Sequence, residues 1–229
     1  SSSPMPDHIE ADAVRHVVAN RLARVPEAAR RMVDVAAISG RWLNLPLLAE
    51  LGIPDGERLI EHCAEFALFE VSEGRWRFSH DKLREGALAR LAPRQRSALH
   101  QQVGEGLERL TSSDPLPPVA ELAHHFAQSG DEARERRYAA LAAHQTADQF
   151  ANSTALGYIA RALALTPADQ HQARYDLLLL RESIYNLQGE RVLQTADLDA
   201  LAALTEQIGS AQLQAEVAVR RTNLYEVTG

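Results

Sequence analysis

Few residues of this chain have the type and spacing that chemistry needs. Lys82 is the one lysine among 24 basic residues; the other 23 are arginines. A P-loop needs a glycine-rich turn running into Lys-Ser/Thr. Lys82 sits instead in Ser79-His80-Asp81-Lys82-Leu83-Arg84-Glu85, with no glycine before it. A Schiff-base lysine therefore has one address, on a charged helix face. The sole cysteine, Cys63, has no partner for an internal disulfide and lies on an apolar helical stripe, so it reads as core. His124 and His125 are adjacent, and on a helix they point about 100° apart. Helical metal ligands want i, i+4, so one histidine is expected at the core edge and the other in solvent. No Gly-x-Ser-x-Gly elbow occurs, and no carboxylate pair has a context suited to acid–base work. The residues thus supply neither a catalytic nor a metal site, and the chain is expected not to be an enzyme. His80-Asp81 stands out by placement, after a predicted strand and at the start of a predicted helix, where Asp81 can cap first-turn N–H groups.

Composition narrows the class. The 229 residues carry 24 basic and 31 acidic side chains, net −7, with 45% hydrophobic residues, an ordinary globular balance. No run approaches the length of a membrane span, and no secretory signal opens the chain. With one cysteine, a reducing, cytoplasmic setting is the expectation. Residues 1–110 hold 15 basic and 16 acidic side chains, and residues 111–229 hold 9 and 15. Neither part has the basic surplus that binding a phosphate backbone demands.

The elements that must position these residues read as two units. Residues 1–7 are expected to be disordered, and 8–110 to form the first unit. A helix from His8 carries Val14, Val17, Val18 and Leu22 on one stripe. A second, opened by Pro26 and closed by Gly40, turns Met32, Val33, Ala36 and Ala37 inward. A short helix at Leu45–Leu51 follows. Asp55 then caps a helix over about 55–67, with Leu59, Cys63, Phe66 and Ala67 facing one way. The period next changes to two. Leu68–Val71 and Arg75–Phe78 read as strands joined by Ser72-Glu73-Gly74, with Trp76 and Phe78 alternating with Arg75 and Arg77. Helices, a hairpin and more helix is the order of a winged-helix domain. Residues 111–118, with three of the ten prolines, read as a linker.

Residues 119–229 read as helix pairs of the tetratricopeptide type. Val119, Leu122, Ala123 and Phe126 make one stripe. Ala139, Ala140, Ala142, Ala143 and Ala147 make a small-residue helix that a partner can approach closely. The run ending Ala162-Leu163-Ala164-Leu165-Thr166-Pro167 suits the second helix of such a repeat, with Ala155 and Ile159 in phase. Helices are expected over about 168–187, with the apolar run Leu177–Leu180, and 191–208. Ile184-Tyr185-Asn186-Leu187-Gln188-Gly189 is echoed 40 residues on by Leu224-Tyr225-Glu226-Val227-Thr228-Gly229. The array is expected to be truncated and the chain to be a fragment cut at both ends.

Two stretches carry a resemblance. Arg21–Pro26 with Ala36–Leu48, and Trp76-Arg77-Phe78-Ser79-His80-Asp81-Lys82-Leu83-Arg84-Glu85 with Arg96–His100, resemble the region after the nucleotide-binding core of bacterial STAND-class NTPases. These are AAA+-like signalling ATPases, many of them transcriptional regulators. His100 resembles a structural position of the family. The resemblance covers roughly residues 8–165 and implies a winged helix followed by tetratricopeptide-like repeats. It implies that His80, with Asp81, contacts the β-phosphate of ADP and holds a closed, inactive state. A ring nitrogen can donate to a phosphate oxygen, and the contact is lost if the domain swings away; simple helix capping is the alternative. ATP or ADP is implied for the full-length protein and no cofactor for this segment. The implied partners are the upstream NTPase core of the same chain and a protein or small-molecule effector on the repeats. Two other functions stay open, a DNA-binding winged-helix regulator with a helical dimerisation tail and a protein-interaction scaffold. Against the first, the helix over 55–67 carries Asp55, Glu57, Glu61 and Glu65 beside Arg58 and His62, which would repel phosphate.

Overall fold

The computed structural model describes the backbone of residues 7–228 and the side chains of residues 15–226. Residues 1–6 of the expected disordered N-terminus, Val14 of the first stripe and the Val227–Gly229 end of the echo fall outside these limits. The described chain is mostly helical, with one two-stranded antiparallel hairpin. It forms two compact units, residues up to Pro117 together with Gln128–Gly130, and Pro118–Ala127 together with the residues from Asp131 onward. Residues 111–118 adopt no helix or strand. Among the described residues no helix is long and apolar enough to cross a membrane.

The first unit contains α1 (Asp7–Ala23), α2 (Glu27–Ser39), α3 (Leu45–Glu50), α4 (Gly56–Ala64), β1 (Phe69–Ser72), β2 (Arg75–Phe78), α5 (Asp81–Ala89) and α6 (Pro93–Leu110). Helix α2 is its centre. Met32, Val33, Ala36 and Ala37 are buried as their spacing requires, joined by Ala29, Val35 and Ile38, and α4, α5 and α6 pack on it. Gly86 of α5 lets α1 come close: a Cβ there would lie 2.4 Å from Val18 Cγ1.

Several local expectations change. Val17 is 52% exposed, so the inward face of α1 rests on Val18 and Leu22. Asp55 makes no side-chain capping bond, because its backbone (φ −92°, ψ 25°) is not the extended one a cap needs. Helix α4 stops at Ala64 and buries Gly56, Ile60 and Cys63; Leu59 and Phe66 are half-buried and Ala67 is exposed. Asn44 is the cap that does bond, accepting from the Leu47 N–H at 3.0 Å. Gly40 has φ 128° and ψ −155°, a conformation open to glycine but not a left-handed helical cap.

The hairpin turn is shorter than expected. Ser72 pairs with Arg75, so only Glu73 and Gly74 link the strands. Both have positive φ, 52° and 71°, as a two-residue type I′ turn requires. Strand β1 begins at Phe69; just before it the Leu68 N–H turns back to Cys63 O, while the Leu68 carbonyl continues the ladder by accepting from the Ser79 N–H. A third extended segment borders β2. Trp42 bridges Arg77 in antiparallel fashion, and the Leu43 N–H donates to Trp76 O at 2.9 Å.

The second unit runs α7 (Val119–Ser129), α8 (Glu132–Asp148), α9 (Asn152–Leu165), α10 (His171–Gln188), α11 (Arg191–Ile208) and α12 (Ala211–Thr228). Its most extensive packing joins sequence neighbours, α8 with α9 and α10 with α11. Ala139 and Ala143 meet Ala155, Ile159 and Ala162, together with Leu177 and Ile184 of α10. The opposite side of α10 places Tyr175 and Leu178 against Leu198, Leu201, Leu204, Val217 and Leu224. The four-leucine run of α10 follows from this middle position: Leu177 and Leu180 serve one cluster, Leu178 and Leu179 the other.

Arginines finish the helices. A helix leaves its last four carbonyls without intrahelical donors, and guanidinium groups from other elements supply them. Arg90 Nη1 reaches Leu22 O (3.3 Å) at the end of α1, and Arg84 Nε reaches Ala37 O (2.9 Å) at the end of α2. Arg31 Nη2 reaches Leu51 O (3.1 Å) after α3, and Arg21 Nη1 reaches Ala67 O (3.1 Å) after α4. In the second unit, Arg174 Nη1 bonds Leu163 O (3.3 Å) and Thr166 O (3.0 Å) at the end of α9.

Two outcomes follow. Both tryptophans lie in the first unit, so their fluorescence reports its unfolding. Arg84→Met keeps the apolar stem and removes the charged donor to Ala37 O; the fluorescence-detected urea midpoint should fall by the equivalent of about 1–2 kcal/mol, and an unchanged midpoint would show the bond to be dispensable. Asp34 of α2 differs in sign. Burial pushes its carboxyl above the ordinary value, and attraction to Arg90 offsets part of this. A raised folded pKa means that the ionised form costs stability at neutral pH, a cost relieved as pH falls through that pKa. Asp34→Asn should therefore raise the midpoint at neutral pH, with the gain shrinking on acidification through the carboxylate range.

Candidate functional site

The His80-Asp81 pair is positioned by the end of β2. Phe78 is buried, its ring 4.7 Å from that of Phe69 across the hairpin. Ser79 then anchors the turn twice: its N–H donates to Leu68 O (3.1 Å) and its hydroxyl to Ala67 O (2.6 Å). The same Ala67 carbonyl accepts from Arg21. With Ser79 held, His80 is extended (φ −144°, ψ 141°) at the N-cap of α5, and its carbonyl accepts from the Leu83 N–H at 3.0 Å. The imidazole makes no capping bond. His80 and Asp81 are both exposed. Asp81 therefore does not orient the ring: among the described residues neither side chain has a hydrogen-bond or ion-pair partner.

Both residues line an open groove of about 520 Å³ with Val17, Val18 and Arg21 of α1 and Lys82 and Leu83 of α5. The valines and Leu83 make it apolar. Arg21, His80, Lys82 and the start of α5 supply donors and positive partial charge, set against one carboxylate on the rim, Asp81, and with Lys82 held to Glu85 at 2.6 Å. Such a rim suits an anionic group attached to an apolar or aromatic body.

The other sequence candidates fall elsewhere. Cys63 is fully buried, and burial pushes its thiol up to about 11. His125 is buried, with Nε2 3.8 Å from Glu121 Oε1, and His124 is exposed; they occupy the two expected environments. His100 is buried. Among the described residues no group of three or more His, Cys, Asp or Glu could hold a metal ion. The exposed face of α4 carries Glu57, Arg58, Glu61 and His62, with Glu65 next to its end; His62 Nδ1 lies 3.3 Å from Glu65.

The second unit holds polar groups that the sequence did not disclose. Glu135 of α8 is buried and takes Arg161 of α9 in a two-toothed pair at 2.5 and 2.9 Å. Arg181 of α10 grips buried Asp197 of α11 in the same way, at 2.9 and 2.5 Å. Glu182 of α10, 1% exposed, accepts from Gln194 Nε2 (2.7 Å) and Arg220 Nη1 (2.8 Å), tying three helices together. Arg220 also reaches Glu216, which accepts from the Tyr175 hydroxyl at 3.3 Å. Burial, and then Glu216, push Tyr175 up to about 12. An open groove of about 560 Å³ runs along Glu182, Asn186, Gln194, Glu216 and Arg220. A further one of about 490 Å³ lies beside Glu135, Tyr158 and Arg161. The only sequence cue to these pairs is a carboxylate or amide interrupting an apolar stripe.

Comparison with protein-family models, with curated proteins and with solved structures found no match to this chain.

The core assignment of Cys63 has a direct check. A chromogenic disulfide reagent at mildly alkaline pH should leave the folded thiol unreacted and label it only as fast as the first unit opens. Rapid labelling of the folded protein would contradict its burial.

Proposed function

We propose that this chain is a regulatory segment of a STAND-class NTPase, with a winged helix as its first unit and tetratricopeptide-like helix pairs as its second. One observation carries the reading: His80 is presented exposed, without a side-chain partner among the described residues, at the junction of β2 and α5, on a rim shared with Arg21 and Lys82. Among the described residues the His80 side chain makes no capping bond, while Asp81 stands in the first turn of α5, where its charge favours the helix start. The winged-helix assignment is supported by the order α2-α3-α4, hairpin, α5 and by the Trp42 segment bridging β2, since a small third strand beside the wing belongs to that architecture. The repeat assignment is supported by the successive pairs α8–α9 and α10–α11 and by the small-residue contact Ala139, Ala143, Ala155 and Ala162.

In this reading the segment closes over a nucleotide-binding core, and His80 donates to the β-phosphate of bound ADP. Effector or partner binding to the grooves of the helix pairs biases the open state, in which the contact is lost, and the change is read out as transcriptional or other signalling. The acidic face of α4 places DNA recognition by that helix second.

ADP titrated into this chain alone should bind weakly or not at all, because a rim of side chains without a P-loop does not offset the cost of ordering the ligand. Where the segment is joined to its nucleotide-binding core, His80→Ala removes a charged contact from the closed state alone. ADP release should then accelerate by about ten- to a hundredfold, with the melting temperature unchanged. Release at the unaltered rate would overturn the sensor role of His80.

A further inference from the structure

The hairpin carries a second feature, independent of the His80 groove. Trp42, half-buried, is fixed to β2 by its bridge to Arg77 and by the Leu43 N–H. Three guanidinium groups surround its ring: Arg75 at 4.3 Å from the ring centroid, Arg77 at 5.9 Å and Arg41 at 6.0 Å. Arg77 is neutralised, since its Nε and Nη2 both donate to Glu70 Oε1 across the strand pair, at 2.9 and 2.5 Å. Arg41 and Arg75 are not. Both are exposed, and among the described residues neither has a carboxylate or carbonyl partner; their contact is the indole face.

Stacking on a fixed ring pre-organises a guanidinium while leaving its N–H fork free, and such a fork matches a carboxylate or phosphate in two-toothed fashion. Arg75, stacked on the ring at 4.3 Å, and Arg41, at 6.0 Å, therefore form a small cationic patch on a protein of net charge −7. Its surroundings select the anion. Helix α4 packs on β1 and exposes Glu57 and Glu61, with Glu65 just beyond its end. Closer still, Glu73 is exposed in the hairpin turn two residues from Arg75, and Glu70 stands on Arg77; a nucleic acid, with a charge about every 1.7 Å along the duplex, would carry further phosphates past these carboxylates. A peptide engages the patch with two or three side chains only.

We propose that Arg41, Trp42 and Arg75 form a docking site for an acidic peptide segment of a partner protein, two of whose carboxylates are taken by the two guanidinium forks.

The test uses this chain with a fluorescein-labelled 12-residue peptide carrying three glutamates in a serine–glycine background, its glutamine counterpart, and a 12-nucleotide single-stranded DNA as probes. The acidic peptide should bind saturably at low ionic strength, weaken as salt rises, and outcompete the DNA; the neutral peptide should not bind. Arg41→Ala and Arg75→Ala should each weaken binding by about fivefold or more. Arg75→Lys, which keeps the charge and loses the fork, should weaken it by roughly threefold. Arg109→Ala, which removes an arginine paired with Glu50 outside the patch, should leave it unchanged. Circular dichroism and the urea midpoint establish that each variant is folded. Absence of saturable binding, equal affinity for the neutral peptide, indifference to the double Arg41/Arg75 substitution, or tighter binding of the DNA would each overturn the proposal.

Discussion

Each helix of this chain ends in carbonyls that its own backbone cannot satisfy, and the first unit depends on meeting that demand from outside each helix. Arg90, Arg84, Arg31 and Arg21 bond carbonyls at or just beyond the C-terminal ends of α1, α2, α3 and α4 in turn. Two of these arginines come from α5 and its C-cap, so the helix that follows the hairpin is tied to α1 and α2 by charge as well as by packing. The imbalance of 23 arginines to one lysine acquires a physical sense here. An ammonium is a compact point donor that holds its water strongly, whereas a guanidinium reaches a half-buried carbonyl with one edge and keeps other donors in solvent. The second unit repeats this use in Arg174 at the end of α9 and adds arginines set against buried carboxylates: Arg161 on Glu135, Arg181 on Asp197, Arg220 on Glu182.

This framework explains why His80 is left available. Arg21 and Ser79 converge on the Ala67 carbonyl, which lies at a left-handed residue (φ 54°) between α4 and β1. That convergence fixes the chain on both sides of the hairpin, so the start of α5 needs no side-chain cap for its placement. A side chain released from structural duty, on a rim with Arg21 and Lys82, can serve binding. The Arg41–Trp42–Arg75 patch obeys the same logic at the edge of β2: Glu70 satisfies Arg77, and among the described residues the two remaining guanidinium groups contact the indole face.

The sequence displayed its periodic parts well. Met32, Val33, Ala36 and Ala37 of α2, the alanines shared by α8 and α9, and strand β2 all stood out, because one repeated choice of side chain carries each of them. It concealed whatever depends on a distant partner. Val17 belongs to a helical stripe yet faces the groove, since α5 covers only part of α1. Asp55 is a good capping residue by type, but its backbone angles keep the carboxylate from the N–H groups. The turn lost a residue because Glu73 takes the left-handed conformation that side-chain propensities disfavour. Glu182, Gln194 and Asp197 look like solvated interruptions of apolar helices; only the crossing of α10, α11 and α12 shows that arginines meet them. For the candidate site, the position of His80-Asp81 between strand and helix was legible. The shared groove was not, because Val17, Val18 and Arg21 lie some sixty residues away in the chain.

The claim on which the functional account rests is that His80 touches the β-phosphate of ADP in the closed state. Phosphorus NMR of ADP bound to a protein that joins this segment to its nucleotide-binding core tests it at the atom concerned. The account expects His80→Ala to displace the β-phosphorus resonance while leaving the α-phosphorus resonance in place, because only one phosphate loses a donor. Identical spectra for the two proteins, each with ADP fully bound, would contradict it.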